Sequence, residues 1–169
     1  MRLTPKEYYI SPLYLFNRHV MLKISKLSDY ATALLARMAQ LGTPISASAL
    51  AADTRISPST VAKLLKQLAK SELVSATRGV SGGYQLSRAP KLINIAQVLT
   101  ALEGPLALTE CSAHSGNCVR TDFCGTKGHW RKINQALIAA LETITLADLA
   151  VPNNFPVFTP RPNAVAMQI

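Results

Sequence analysis

From Leu27 onward the apolar positions fall on one helix face. Leu27, Tyr30, Ala31, Leu34, Leu35, Met38 and Leu41 step at i, i+3, i+4 and i+7, the stripe of an amphipathic helix. Gly42 and Pro44 end it. Ser46 then offers a side-chain oxygen to cap a short helix through Ala47, Leu50 and Ala51, which closes near Asp53 and Thr54. Ser57-Pro58 opens a third helix, because the serine caps free N–H groups and a proline at the first helical position lacks only an N–H that would have no partner. Val61, Leu64, Leu65 and Leu68 form its apolar stripe, and Ser59, Thr60, Lys63, Lys66, Gln67 and Lys70 its polar side.

Two helices joined by the short Thr54-Arg55-Ile56 link, the second opening with small polar residues, predict a helix-turn-helix. A plain helical hairpin with a solvated lysine face has the same pattern, but the next segment favours the first reading. Leu73 to Ala76 alternates as a strand, Arg78-Gly79-Val80-Ser81-Gly82-Gly83 turns, and Tyr84-Gln85-Leu86 alternates back. A hairpin directly after a recognition helix is a wing, with Arg78 at its tip. Asn94 and Gln97 form a capping box for a helix that turns Ile95, Val98, Leu99 and Leu102 inward and stops at Gly104-Pro105. Further on, Trp130, Ile133, Leu137, Ala140 and Ile144 step at 3 and 4 as in a heptad seam, the pattern of a dimer helix. Thr145 caps a last turn from Leu146 to Leu149. The expected fold is mainly α: a winged helix-turn-helix with a two-stranded wing and a long C-terminal dimerisation helix.

Composition sharpens this picture at three points. The 169 residues carry a net charge of +9. Residues 21–91 hold ten Lys or Arg against three acids, whereas residues 92–169 hold five of each. The charge therefore lies with the predicted reader, as expected where phosphates dominate affinity, and implies double-stranded DNA as the partner. No apolar run reaches the length of a membrane span. Pro12, Asn17 and Arg18 interrupt what would be a signal-peptide core, so a cytoplasmic protein is expected. Residues 1–20 read as an N-terminal extension or a mis-assigned start, 21–91 as the winged-helix domain, 92–150 as linking helix, cysteine loop and dimer helix. The proline-rich residues 151–169 read as a disordered tail.

All three cysteines, Cys111, Cys118 and Cys124, lie within fourteen residues in a C-x6-C-x5-C loop. An odd count at tight spacing suits metal or redox chemistry in a reducing compartment better than a disulfide framework. No base and orienting partner accompany them as a thiol enzyme would require, so no catalytic residue is expected.

The stretches KLSDYATALLARMA, ISPSTVAKLLKQLAKSELVSATRGVSGGYQLSR and INIAQVLTALEG, followed by three cysteines before W…N, resemble the winged-helix iron–sulfur regulator family. That family includes Isc-type, nitric-oxide-sensing and Suf-operon regulators, and the resemblance covers roughly residues 21–150. It implies a homodimer, usually a repressor, whose Cys111, Cys118 and Cys124 hold a cluster, 2Fe–2S in preference to 4Fe–4S, with a fourth ligand that is not cysteine. Isc-type members place a histidine shortly after the third cysteine; here Lys127 stands there, and a protonated lysine cannot ligate. His129, Asp29 contributed by the partner subunit, and His114 remain the alternatives. Ser57, Ser59, Thr60, Lys63, Lys66, Arg78, Ser81, Gly82 and Tyr84 are the residues expected at DNA. The rival function is a DNA-binding regulator in which the same loop holds zinc or acts as a cluster-free thiol sensor.

Overall fold

A computed structural model describes residues 23–79, 82–113, 118–119 and 122–151. Ser81, His114, the segment 1–20 and the tail from residue 152 lie outside them. Helix α1 spans Lys26–Leu41, α2 Ala47–Thr54 and α3 Pro58–Lys70; strands β1, Val74–Thr77, and β2, Gly83–Leu86, make the wing. Then come α4, Ile95–Glu103, α5, Lys127–Glu142, and α6, Leu146–Ala150.

The caps form as their side-chain chemistry predicts. Ser46 Oγ accepts the Ala49 N–H at 3.1 Å and Ser57 Oγ the Thr60 N–H at 3.3 Å. The Asn94–Gln97 box closes in both directions, at 2.9 and 3.2 Å. Between α2 and α3 the chain reverses through Arg55 in the left-handed region, φ 56°. One apolar core then joins α1 through α4, the wing and α6. Ala31, Leu34 and Leu35 of α1, Leu50 of α2 and Val61, Leu64, Leu65 and Leu68 of α3 pack together with Val98 of α4 and Leu146 of α6. Each such fully buried Leu contributes roughly 1.5–3 kcal/mol over its exposed state. Leu27 and Tyr30, the first members of the α1 stripe, remain exposed, and Ser28 on the same turn is buried and hydrogen-bonded to Ser25 and Glu103.

The wing pairs antiparallel, Val74 opposite Leu86 and Thr77 opposite Gly83. A third segment joins it that the alternation of the sequence did not reveal. Ile45 and Tyr84 exchange both backbone hydrogen bonds, at 3.0 and 2.8 Å, and so fasten the wing to the loop between α1 and α2. A second isolated bridge ties the far end of the chain back to the start of α4. Ile95 N–H donates to Ile144 at 2.9 Å and Leu146 N–H to Ile93 at 2.9 Å.

Candidate functional site

Helix α3 presents two unlike faces. Val61, Leu64, Leu65 and Leu68 are buried, while Ser59, Lys63, Lys66 and Lys70, at i, i+4, i+7 and i+11, form an exposed stripe on the opposite side. Ser57 and Thr60 are joined by a 2.7 Å hydroxyl–hydroxyl bond at the helix start, so both first serve the cap. Gln67 does not belong with the exposed residues. Its amide donates to the carbonyls of Ala101 and Leu102, at 3.1 and 3.3 Å, and clamps α3 to the end of α4. Arg55, absent from the sequence-based set, is exposed in the turn before α3 and adds a charge beside the helix N-terminus.

Arg78 is exposed at the wing tip. The glycines behind it are fixed by crowding. A Cβ on Gly82 would collide with the Thr77 carbonyl, and one on Gly83 would come within 2.7 Å of the Ile45 oxygen. Tyr84 is half-buried against the core, and its backbone is the one paired with Ile45. The exposed basic stripe of α3 and Arg78 on the wing are thus both open to solvent.

The cysteine loop lies between α4 and α5. Cys111 is buried, with its sulfur 3.3 Å from the Thr109 hydroxyl; Cys118 and Cys124 are half-buried, and Cys124 lies 3.3 Å from the Thr126 hydroxyl. The loop base is tied to α5: Asn134 Oδ1 accepts the Leu108 N–H at 2.9 Å, its Nδ2 donates to Leu106 at 3.1 Å, and Arg131 Nε donates to the Cys111 carbonyl at 3.3 Å. His129 is exposed in the first turn of α5 and Asp29 in the first turn of α1. Among the described residues no three His, Cys, Asp or Glu side chains converge.

Glu103, at the end of α4, receives the Ser28 hydroxyl at 2.6 Å and the Ser25 N–H at 3.1 Å. The first of these contacts, aided by the second, holds its carboxyl below the usual carboxylate range. Asp148 is lowered in the same way, chiefly by the Thr145 hydroxyl and then by the Thr145 N–H. No helix among the described residues is long and apolar enough to cross a membrane.

A family model described as Rrf2, iron-dependent transcriptional regulator, matches residues 24–152. The chain belongs to the Rrf2 family. Protein rrf2 of Nitratidesulfovibrio vulgaris is 34% identical over 130 residues, 76% of this chain and 87% of that protein. The structure of CymR, the global cysteine regulator of B. subtilis, aligns with TM-score 0.63 and 27% identity over 76% of this chain and 96% of that one. IscR of T. potens aligns with TM-score 0.59 and 31% identity over 76% and 85%. This Rrf2 protein is therefore a winged-helix, DNA-binding transcriptional regulator and not an enzyme.

Proposed function

We propose that this Rrf2 protein is a homodimeric repressor that senses iron–sulfur status, acting on iron–sulfur assembly or stress genes. The observation that carries the reading is the position of its thiols: all three cysteines of the chain lie on one loop whose base is hydrogen-bonded to α5. Thiolates are soft donors of the kind iron–sulfur centres require. Cys111, Cys118 and Cys124 would hold the cluster, which supplies a centre sensitive to oxidants and to iron supply. To meet at one centre the three sulfurs must be drawn together, so occupancy reshapes the loop.

The fourth ligand comes from Asp29 of the partner subunit in preference to His129, because a ligand on α1 ties occupancy to the reading domain itself. On DNA, Lys63 and Lys66 meet phosphates, Ser59 and the cap residues Ser57 and Thr60 approach the backbone or base edges, and Arg78 enters a groove. Gly82 and Tyr84, on the wing, and Ser81, outside the described residues, complete the set expected at DNA. Trp130, Ile133 and Leu137 form the dimer seam of α5.

A second reading has its own support. The likeness to a global cysteine regulator favours a cluster-free thiol regulator built on the same loop. Anaerobic purification separates the two. Visible absorption with stoichiometric iron and sulfide, lost in Cys111→Ala, Cys118→Ala and Cys124→Ala, supports the cluster. Colourless protein without iron rejects it, and bound zinc would assign the loop a structural metal. With the cluster present, Asp29→Ala loosens it more than His129→Ala does; the reverse order assigns the fourth ligand to His129.

A further inference from the structure

Helix α5 has an inverted pattern. Its one buried residue is an amide, Asn134, only 5% exposed, whereas Trp130 and Ile133 on the same helix are 39% and 48% exposed. A helix gripping a loop for stability alone would bury an apolar side chain there. We infer that Asn134 is a positioning residue that couples the state of the cysteine loop to α5 and, through α5, to the DNA-reading core; this rests on the proposed sensing role of the loop.

The geometry of the amide supports coupling rather than simple adhesion. Asn134 Oδ1 accepts from Leu108 N–H and Nδ2 donates to Leu106 C=O, so one side chain reads a donor and an acceptor on the segment entering the loop. One turn earlier on the same face, Arg131 holds the Cys111 carbonyl, directly on a thiol-bearing residue. These contacts specify register. A slip of one residue would leave a buried amide and two backbone groups unpaired, which costs far more than sliding an apolar contact. The loop can therefore sit on α5 in register or leave it, with little stability in between. A lone polar residue within a helix interface sets register by the same logic.

The other end of α5 is fixed to the reader. Past Thr143 the chain enters the Ile95–Ile144 and Leu146–Ile93 hydrogen bonds, and Leu146 is wholly buried in the shared core on α6, the helix that packs against α1. Movement at Asn134 is thus delivered to the core beneath the recognition helix.

The test compares Asn134→Leu, which keeps volume and removes both hydrogen bonds, with Asn134→Asp, which keeps the acceptor and loses the donor. In cluster-free protein, hydrogen exchange at the Leu108 amide is expected to quicken by about tenfold or more in Asn134→Leu and by less in Asn134→Asp. The ratio of affinities of the cluster-loaded and cluster-free forms for the protein's own promoter DNA is expected to fall toward one by at least about fivefold in Asn134→Leu. A purely structural residue would weaken both forms together and leave that ratio unchanged; an unchanged ratio with faster exchange overturns the coupling while sparing the sensing role. A wild-type ratio of one overturns both. Should Asn134→Leu not fold, the Asn134→Asp ratio decides, with a value equal to wild type counting against the proposal.

Discussion

The hydroxyl of the fully buried Ser28 donates a 2.6 Å hydrogen bond to Oε1 of Glu103, joining the start of the first helix to the end of the fourth. Ser25 adds its N–H to the same oxygen, at 3.1 Å. The contact fixes the origin of α1, where Asp29 lies, relative to the point at which the chain leaves α4 for the cysteine loop.

Because these donors favour the ionised form, the Glu103 pKa is depressed in the folded state. Its contribution to stability is complete above the unfolded carboxylate value and is lost as the pH falls through the folded one. Glu103→Gln is therefore expected to be less stable than wild type at neutral pH, with the gap narrowing below about pH 4. The effect is small, since the carboxylate is solvent-exposed. Thermal unfolding of both proteins across that range checks it, and a gap that widens on acidification would contradict the assignment.

Gly83→Ala places a Cβ within 2.7 Å of the Ile45 carbonyl oxygen, where backbone and not a flexible side chain must yield. A loss of about 1–3 kcal/mol is expected, by denaturant unfolding, as the wing separates from the α1–α2 loop. Unchanged stability would mean that the Ile45–Tyr84 bridge is dispensable.

On DNA, Lys66→Ala is expected to reduce the log–log salt slope of affinity by roughly 0.9, one phosphate contact. Gln67→Ala is the instructive neighbour. It loses the amide bonds to Ala101 and Leu102, so stability is expected to fall by about 1 kcal/mol while the salt slope stays unchanged. Titrations at several salt concentrations separate the two, and equal slopes for Lys66→Ala and wild type would remove Lys66 from the interface.

This contrast shows where the sequence was legible. The stripes of α1 and α3, the caps at Ser46, Ser57 and Asn94, and the wing were readable because each is set by residues a few positions apart. Gln67 looked like its lysine neighbours because its partners lie 34 and 35 residues away. Ile45 gave no strand signal, since a bridge of one residue pair has no alternation to read. Asn134 lies beside the stripe of Trp130, Ile133 and Leu137 and gave no signal, because its backbone partners are 26 and 28 residues away. The cysteine spacing named the loop and left its closure unspecified.

Helix α5 leaves Trp130 and Ile133 substantially exposed on the single chain. If they meet their copies across a two-fold axis, Ile133→Asp is expected to remove several kcal/mol of association and yield monomers by sedimentation. A persistent dimer would put the interface on another surface.

The pairing of Ile93 and Ile95 with Leu146 and Ile144 also orders how the protein is made. A ribosome delivers α1 to α4 first, yet the face of α1 that receives α6 stays wet until residue 146 has emerged. By then the cysteine loop has already left the exit tunnel. The nascent reader is thus completed only after the cysteine loop has been synthesised, and a chain broken off before the loop lacks the last piece of the core that the recognition helix shares.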